Sequence, residues 1–120
     1  MNKRTTMALV KGIRTQLLDK CSNVYFQEGT EDKKYPRIIM DVRPTYETRM
    51  VLELDLWNMR GEEKTLADLA DTVEDLLDGM VLSEPGYMAS LYTNNDMKFV
   101  PDENKDFKHV NMSFNIIYQS

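Results

Sequence analysis

Leu52, Leu54 and Leu56 alternate with Glu53 and Asp55, and Trp57 falls on the polar phase of the same run. Alternation with period two makes a strand with one buried face. The segment "RIIMDVRP", residues 37–44, repeats the pattern, with Ile38, Met40 and Val42 opposite Ile39, Asp41 and Arg43. So does "KHVNMSFNIIYQ", residues 108–119, where Val110, Met112, Phe114, Ile116 and Tyr118 oppose His109, Asn111, Ser113 and Asn115. It is the longest strand expected. Two stretches carry the helical period instead. Val10, Ile13, Leu17 and Leu18 predict a helix from Thr6 to about Lys20, with Thr6 as its cap. Gly12 lies inside it, at a cost of about 1 kcal/mol relative to Ala. Leu66, Leu69, Ala70, Val73, Leu76 and Leu77 predict a second helix, capped by Thr65 with Asp68 and closed by Gly79.

The remaining segments are shorter. "VYFQ" at 24–27 reads as a strand, and "EGTEDKKYP" at 28–36 as an exposed loop. "MVLSEPGY" at 80–87 reads as a connector, and "MASLYTNNDMKFVP" at 88–101 as two short strands paired around the turn "TNND". Helix, strands, helix, strands is an α+β order: a mainly antiparallel sheet with two helices packed on one face. The opposite face is polar, and is either solvated or covered by a partner.

Composition narrows the class. With 120 residues, 42% hydrophobic and 29% charged, the chain is sized and mixed for one folded domain spanning 1–120. A net charge of -5 repels phosphate backbones, which argues against sequence-specific nucleic-acid binding. No window approaches the roughly 20 apolar residues of a membrane span. Lys11 and Arg14 interrupt the run after "MALV" too early for an export signal. The single Cys21 forms no internal disulfide and suits a reducing cytoplasm.

Residue types that advertise catalysis are sparse. His109 is the only histidine, with no second metal ligand at a recognisable spacing. Ser113 is four residues away on the same strand, roughly 13 Å at about 3.3 Å per residue, too far for a dyad. No catalytic set, metal site or cofactor is expected. The carboxylates remain. Asp68, Asp71, Glu74, Asp75 and Asp78 lie opposite the apolar stripe of the second helix, and like charges four residues apart cost about 0.2–0.5 kcal/mol per pair. They read as a solvated face, a protein-docking surface or an ion site, and Asp71, Glu74 and Asp75 are the interface candidates among them.

Charge is also segregated along the chain. In residues 1–20, Lys3, Arg4, Lys11, Arg14 and Lys20 outnumber Asp19, for a net +4. In residues 62–84 eight acids stand against Lys64, for a net -7. The two segments either lie side by side or meet across a subunit boundary, where complementarity serves specificity. Trp57, with Tyr46, Met50 and Val51, puts an apolar cluster on a polar strand face, as at an interface or over a core edge. Loop residues Glu31, Asp32, Lys33 and Lys34, and the turn residues Asn94, Asn95 and Asp96, are further contact candidates, expected to be dispensable to the core.

Taken together, the helix ending "IRTQLLD", the segment "EDKKYPRIIMDVRP", the strand "MVLELDLWN", the acidic helix "LADLADTVEDLLDG" and the closing "HVNMSFNIIYQ" resemble the tail terminator, or tail-completion, proteins of long-tailed bacteriophages and prophages. The resemblance covers nearly the whole chain. It implies a small α+β subunit that forms a hexameric ring, caps the tail tube to end its polymerisation, and offers the other side of the ring to the head–tail connector. The implied partners are a second copy of the chain, the tail-tube protein and the connector; the implied locations are the virion and, during assembly, the host cytoplasm. No catalysis is implied, and the family carries no catalytic motif to transfer. Head–tail connectors and tail-tube proteins share this size and architecture. Outside the virion, the alternative is a small cytoplasmic hydrolase or ligand-binding domain using the acidic helix 65–79.

Overall fold

The computed structural model describes residues 3–27, 34–46, 48–101 and 105–119. In chain order the elements are α1 (Lys3–Leu18), β1 (Val24–Phe26), β2 (Arg37–Tyr46), β3 (Arg49–Met59), α2 (Glu63–Leu77), β4 (Val81–Glu84), β5 (Tyr87–Thr93), β6 (Lys98–Val100) and β7 (Phe107–Gln119). The strands form one sheet in the order β1-β2-β3-β7-β5-β4, and β6 also pairs with β7. Every pairing is antiparallel except β1 with β2. The fold is α+β, with two helices and a mainly antiparallel sheet.

The sheet's spine is the β3–β7 ladder, in unbroken register from Arg49 opposite Ile117 to Met59 opposite Phe107. Because side chains alternate with period two, this register puts Leu52, Leu54 and Leu56 on the same face as Phe114, Met112 and Val110. All six are at most 2% exposed, and Ile38 and Met40 of β2 extend the layer. Each such side chain contributes about 1.5–3 kcal/mol on leaving water. α1 packs against both β1 and β5, which stand near opposite ends of the strand order, so the sheet curls around the helix. α2 packs against β3, β5 and β7.

Several sequence expectations change at this level. α1 begins at Lys3, so Thr6 is inside the helix and not its cap. Its buried stripe is Leu9, Val10, Ile13 and Leu17, with Leu18 exposed. The i, i+4 series 9, 13, 17 faces the sheet, and a fourth residue one position further on is turned out. Gly12 has a packing reason: a Cβ there would stand 2.7 Å from the Tyr87 hydroxyl oxygen. α2 also starts earlier than expected, with Glu62 at the N-cap position and no side-chain cap. Thr65 instead lies in the first turn and donates to Glu62 Oε2 at 3.2 Å, while Asp68 pairs with Lys64 at 2.9 Å. The buried stripe of α2 is Leu66, Ala70, Val73 and Leu77; Leu69 and Leu76 flank it, half-buried. Gly79 follows the helix with φ +81°, as a closing glycine should.

The largest correction concerns residues 80–101. The expected connector is itself β4, joined to β5 by a tight turn at Pro85 and Gly86, where Gly86 has φ +102°. The expected hairpin around "TNND" does not form. β5 and β6 lie one after the other along the same edge of β7, from Met88 opposite Gln119 to Thr93 opposite Phe114, then from Lys98 opposite Asn111. Residues 94–97 are a bulge, in which four residues stand against Met112 and Ser113. Asp96 accepts hydrogen bonds from the Ser113 backbone N–H at 2.8 Å and from its hydroxyl at 2.5 Å. The Asn94 N–H donates to the Ser113 carbonyl at 3.1 Å. Side chain and backbone of the bulge thus replace the ladder bonds that a regular strand would have made.

Candidate assembly surfaces

The sheet face opposite the helices is the first surface. Across it run Ile39, Asp41 and Arg43 of β2; Val51, Glu53, Asp55 and Trp57 of β3; and His109, Asn111, Ser113 and Asn115 of β7, as the paired registers require. Met50 is not among them: it is fully buried on the helix-covered face, which corrects the apolar cluster expected around Trp57. Tyr46, beyond a register shift after Pro44, is 70% exposed. Arg43 bridges Asp41 and Glu53 at 3.9 and 4.0 Å.

Trp57 and His109 are cross-strand partners, and their rings stack 3.9 Å apart at 9°. His109 Nε2 lies 2.6 Å from Asp55 Oδ1, and Asn111 Nδ2 donates to the same oxygen at 2.9 Å. Burial would raise the Asp55 carboxyl, but the hydrogen bonds from His109 and Asn111, together with the charge of His109, hold it below its ordinary value of 3.8. Spacing within one strand could not show this group, because its members join only once β3 and β7 are paired. His109 is thereby partnered with Asp55, whereas Ser113 bonds to Asp96. Arg37 lies 5.1 and 5.0 Å from the ring centres of Tyr25 and Tyr35, and Tyr35 contacts Phe107 with ring centres 5.2 Å apart. Tyr35, Arg37, Ile39, Trp57 and Phe107 line a shallow hollow at this end of the face. At the other end Met88, Tyr92 and Ile117 expose 46, 47 and 41% of their surfaces.

Asp55 makes stability pH-dependent with a definite sign. A carboxyl held low in the folded state stabilises above its unfolded value, and the contribution is lost as pH falls through the folded value. In Asp55→Asn that contribution is absent at every pH. The stability gap between wild type and variant, measured by urea unfolding, should therefore be widest near neutrality and narrow below the ordinary value of 3.8. A gap that stays constant into acid would show that His109 and Asn111 do not hold the ionised form.

The second surface is the outer side of α2. Asp71 and Asp75 are exposed, and among the described residues neither has an ion-pair or hydrogen-bond partner. Glu74 is different: it accepts from the Thr93 hydroxyl at 3.1 Å, and Asp78 accepts from the Thr93 backbone N–H at 2.9 Å. These two acids tie the end of α2 to the end of β5, a role within the subunit that the sequence does not reveal. At the other end, Glu63 receives backbone N–H bonds and lies near Lys108 and Arg60, which hold its carboxyl below the ordinary value.

The other candidates fall as follows. Glu31, Asp32 and Lys33 lie outside the described residues. Lys34 is exposed just before β2, and its carbonyl accepts from Arg37 Nε at 3.1 Å. Asn94 and Asp96 are part of the bulge, where Asn94 also accepts from Asn115 Nδ2 at 2.6 Å and donates to Ser113 Oγ at 2.8 Å. Asn95 is exposed, with φ +54°, in the left-handed region that Asn tolerates. Cys21 is buried beside the Pro36 and Asn23 carbonyls, and burial pushes its thiol up, away from the nucleophilic thiolate.

No protein-family model matches the chain, and no curated protein is significantly similar to it. Among solved structures, it is similar to a chain in the virion of a native gene transfer agent particle, with a TM-score of 0.69 and 14% sequence identity, covering 90% of this chain and 92% of that one. At that identity the two share a fold, over nearly the full length of each.

Proposed function

We propose that the protein is a structural subunit of a phage-like virion, and within it a tail terminator: a non-catalytic ring, hexameric as the resemblance implies, that caps the tail tube and presents its far side to the head–tail connector. The observation that carries the reading is the end-to-end likeness in fold to a virion chain. The surfaces agree with it. An open sheet face with aromatic and exposed apolar groups at its two ends, and a helix on which Asp71 and Asp75 have no partner among the described residues, suit a subunit whose neighbours supply what it does not bury. The chain would work in the virion tail after assembly in the host cytoplasm. A connector or tube subunit of the same fold would meet the same tail elsewhere, and the test separates the three.

Tail tubes polymerised from their purified tube protein should stop growing when this protein is added, and electron microscopy should show it only at tube ends. Density spread along the tube would make it a tube subunit, and attachment to portal-bearing heads without tubes a connector. Failure to bind any of these assemblies would remove the virion reading.

A further inference from the structure

We infer that adjacent copies of the chain meet head to tail through α1 of one and α2 of the next, with Lys11 and Arg14 opposite Asp71 and Asp75; the contact rests on the ring reading. Three observations carry it. First, Lys11 and Arg14 are exposed on α1, and Asp68, Asp71 and Asp75 are exposed on α2. The acids recur at i, i+3 and i+7, so they form one stripe, and Lys11, Arg14 and Leu18 recur at the same intervals on α1. Second, the chain does not join the two stripes itself: among the described residues no ion pair connects α1 with α2, and Lys11, Asp71 and Asp75 have no side-chain partner. Among the described residues, the Arg14 side chain bonds to the Val24 carbonyl alone, through Nε at 2.9 Å. Third, the basic stripe is flanked by exposed apolar side chains, Met7 at 46% and Leu18 at 36%.

A second copy is the occupant that fits. Each chain carries one basic and one acidic stripe, so a head-to-tail contact satisfies both on every member and leaves neither over once a ring closes. It also relieves the repulsion between Asp71 and Asp75, four residues apart on one helix face. Repulsion at the same site would discriminate against a wrong docking register.

The test uses two charge-reversal pairs, Lys11→Glu with Arg14→Glu, and Asp71→Lys with Asp75→Lys. Mass is measured by light scattering on a sizing column, in free solution and on tail tubes. All four side chains are exposed, so circular dichroism should match wild type in both variants and the thermal midpoint should match in Asp71→Lys with Asp75→Lys. Arg14→Glu also loses the bond to the Val24 carbonyl, so the first pair should melt slightly lower while remaining folded. Each variant alone should need at least about tenfold more protein to assemble than wild type, since reversal sets like charges face to face. An equimolar mixture of the two should assemble again, because every α1–α2 contact in an alternating ring is then opposite in sign. If either variant assembles as wild type does, or the mixture fails while wild type forms rings, the helix contact is wrong and the ring stands. If wild type remains monomeric both free and on tubes, ring and contact fall together.

Discussion

Phe114→Ala should cost about 3–5 kcal/mol, the range for emptying a fully buried aromatic site. Phe114 sits at the middle of β7, fully buried, opposite Leu52 of β3 and Thr93 of β5. Three strands converge on it, so the cavity cannot close by moving a single loop. Against a total of about 5–15 kcal/mol for an ordinary domain this loss is large, and the thermal midpoint should fall by roughly 10–20 °C. Ile117→Ala on the same strand is the control. Its side chain points to the other face and is 41% exposed, so it should cost under about 1.5 kcal/mol. Equal losses at the two positions would mean that the face opposite the helices is as well packed as the core.

The second large effect is expected at Asp96, where the sequence suggests a dispensable turn. Asp96→Ala removes a charged acceptor from two hydrogen bonds and leaves the Ser113 backbone N–H without its partner. Ser113 is only 9% exposed, so water replaces that partner poorly. A loss of about 1.5–3 kcal/mol follows from bonds to a charged group and an orphaned donor. Urea unfolding should show it as a lower midpoint with unchanged slope. Replacing residues 94–96 by Gly and Ser should do at least as much, because Asn94 also bridges Ser113 and Asn115. An unfolding free energy within a few tenths of a kcal/mol of wild type would return this segment to the status of a free loop.

The two cases differ in how they were legible. Phe114 could be assigned to the core from alternation alone, because in β7 every second residue from Val110 to Tyr118 is apolar and only one face of a strand can be buried. The same argument located Leu52, Leu54 and Leu56, and the 3.6-residue period located the body of α2 from Leu66 to Leu77. Asp96 had no such signal. "TNND" is good turn chemistry, but whether its flanking strands fold back on each other or continue along a third depends on what occupies the edge of β7. That partner arrives later in the sequence.

Local sequence therefore determined the buried face of β2, the body of β3, β7 and the body of α2, since strand and helix periods are properties of the backbone and act within a few residues. It also determined the segregation of charge between the first 20 residues and residues 62–84. It did not determine the full stripe of α1, the face of Met50 or the strand β4. Tertiary structure decided what those faces meet. Pairing β3 with β7 brought Asp55, Trp57, His109 and Asn111 into one cluster from positions more than 50 residues apart. Packing of α2 on the sheet committed Glu74 and Asp78 to Thr93 and left Asp71 and Asp75 outward. The division has one physical cause. Burial of a face is selected by periodicity along one segment, whereas a hydrogen bond or ion pair needs two groups within about 3 Å, and for residues far apart in sequence only the assembled sheet fixes that distance.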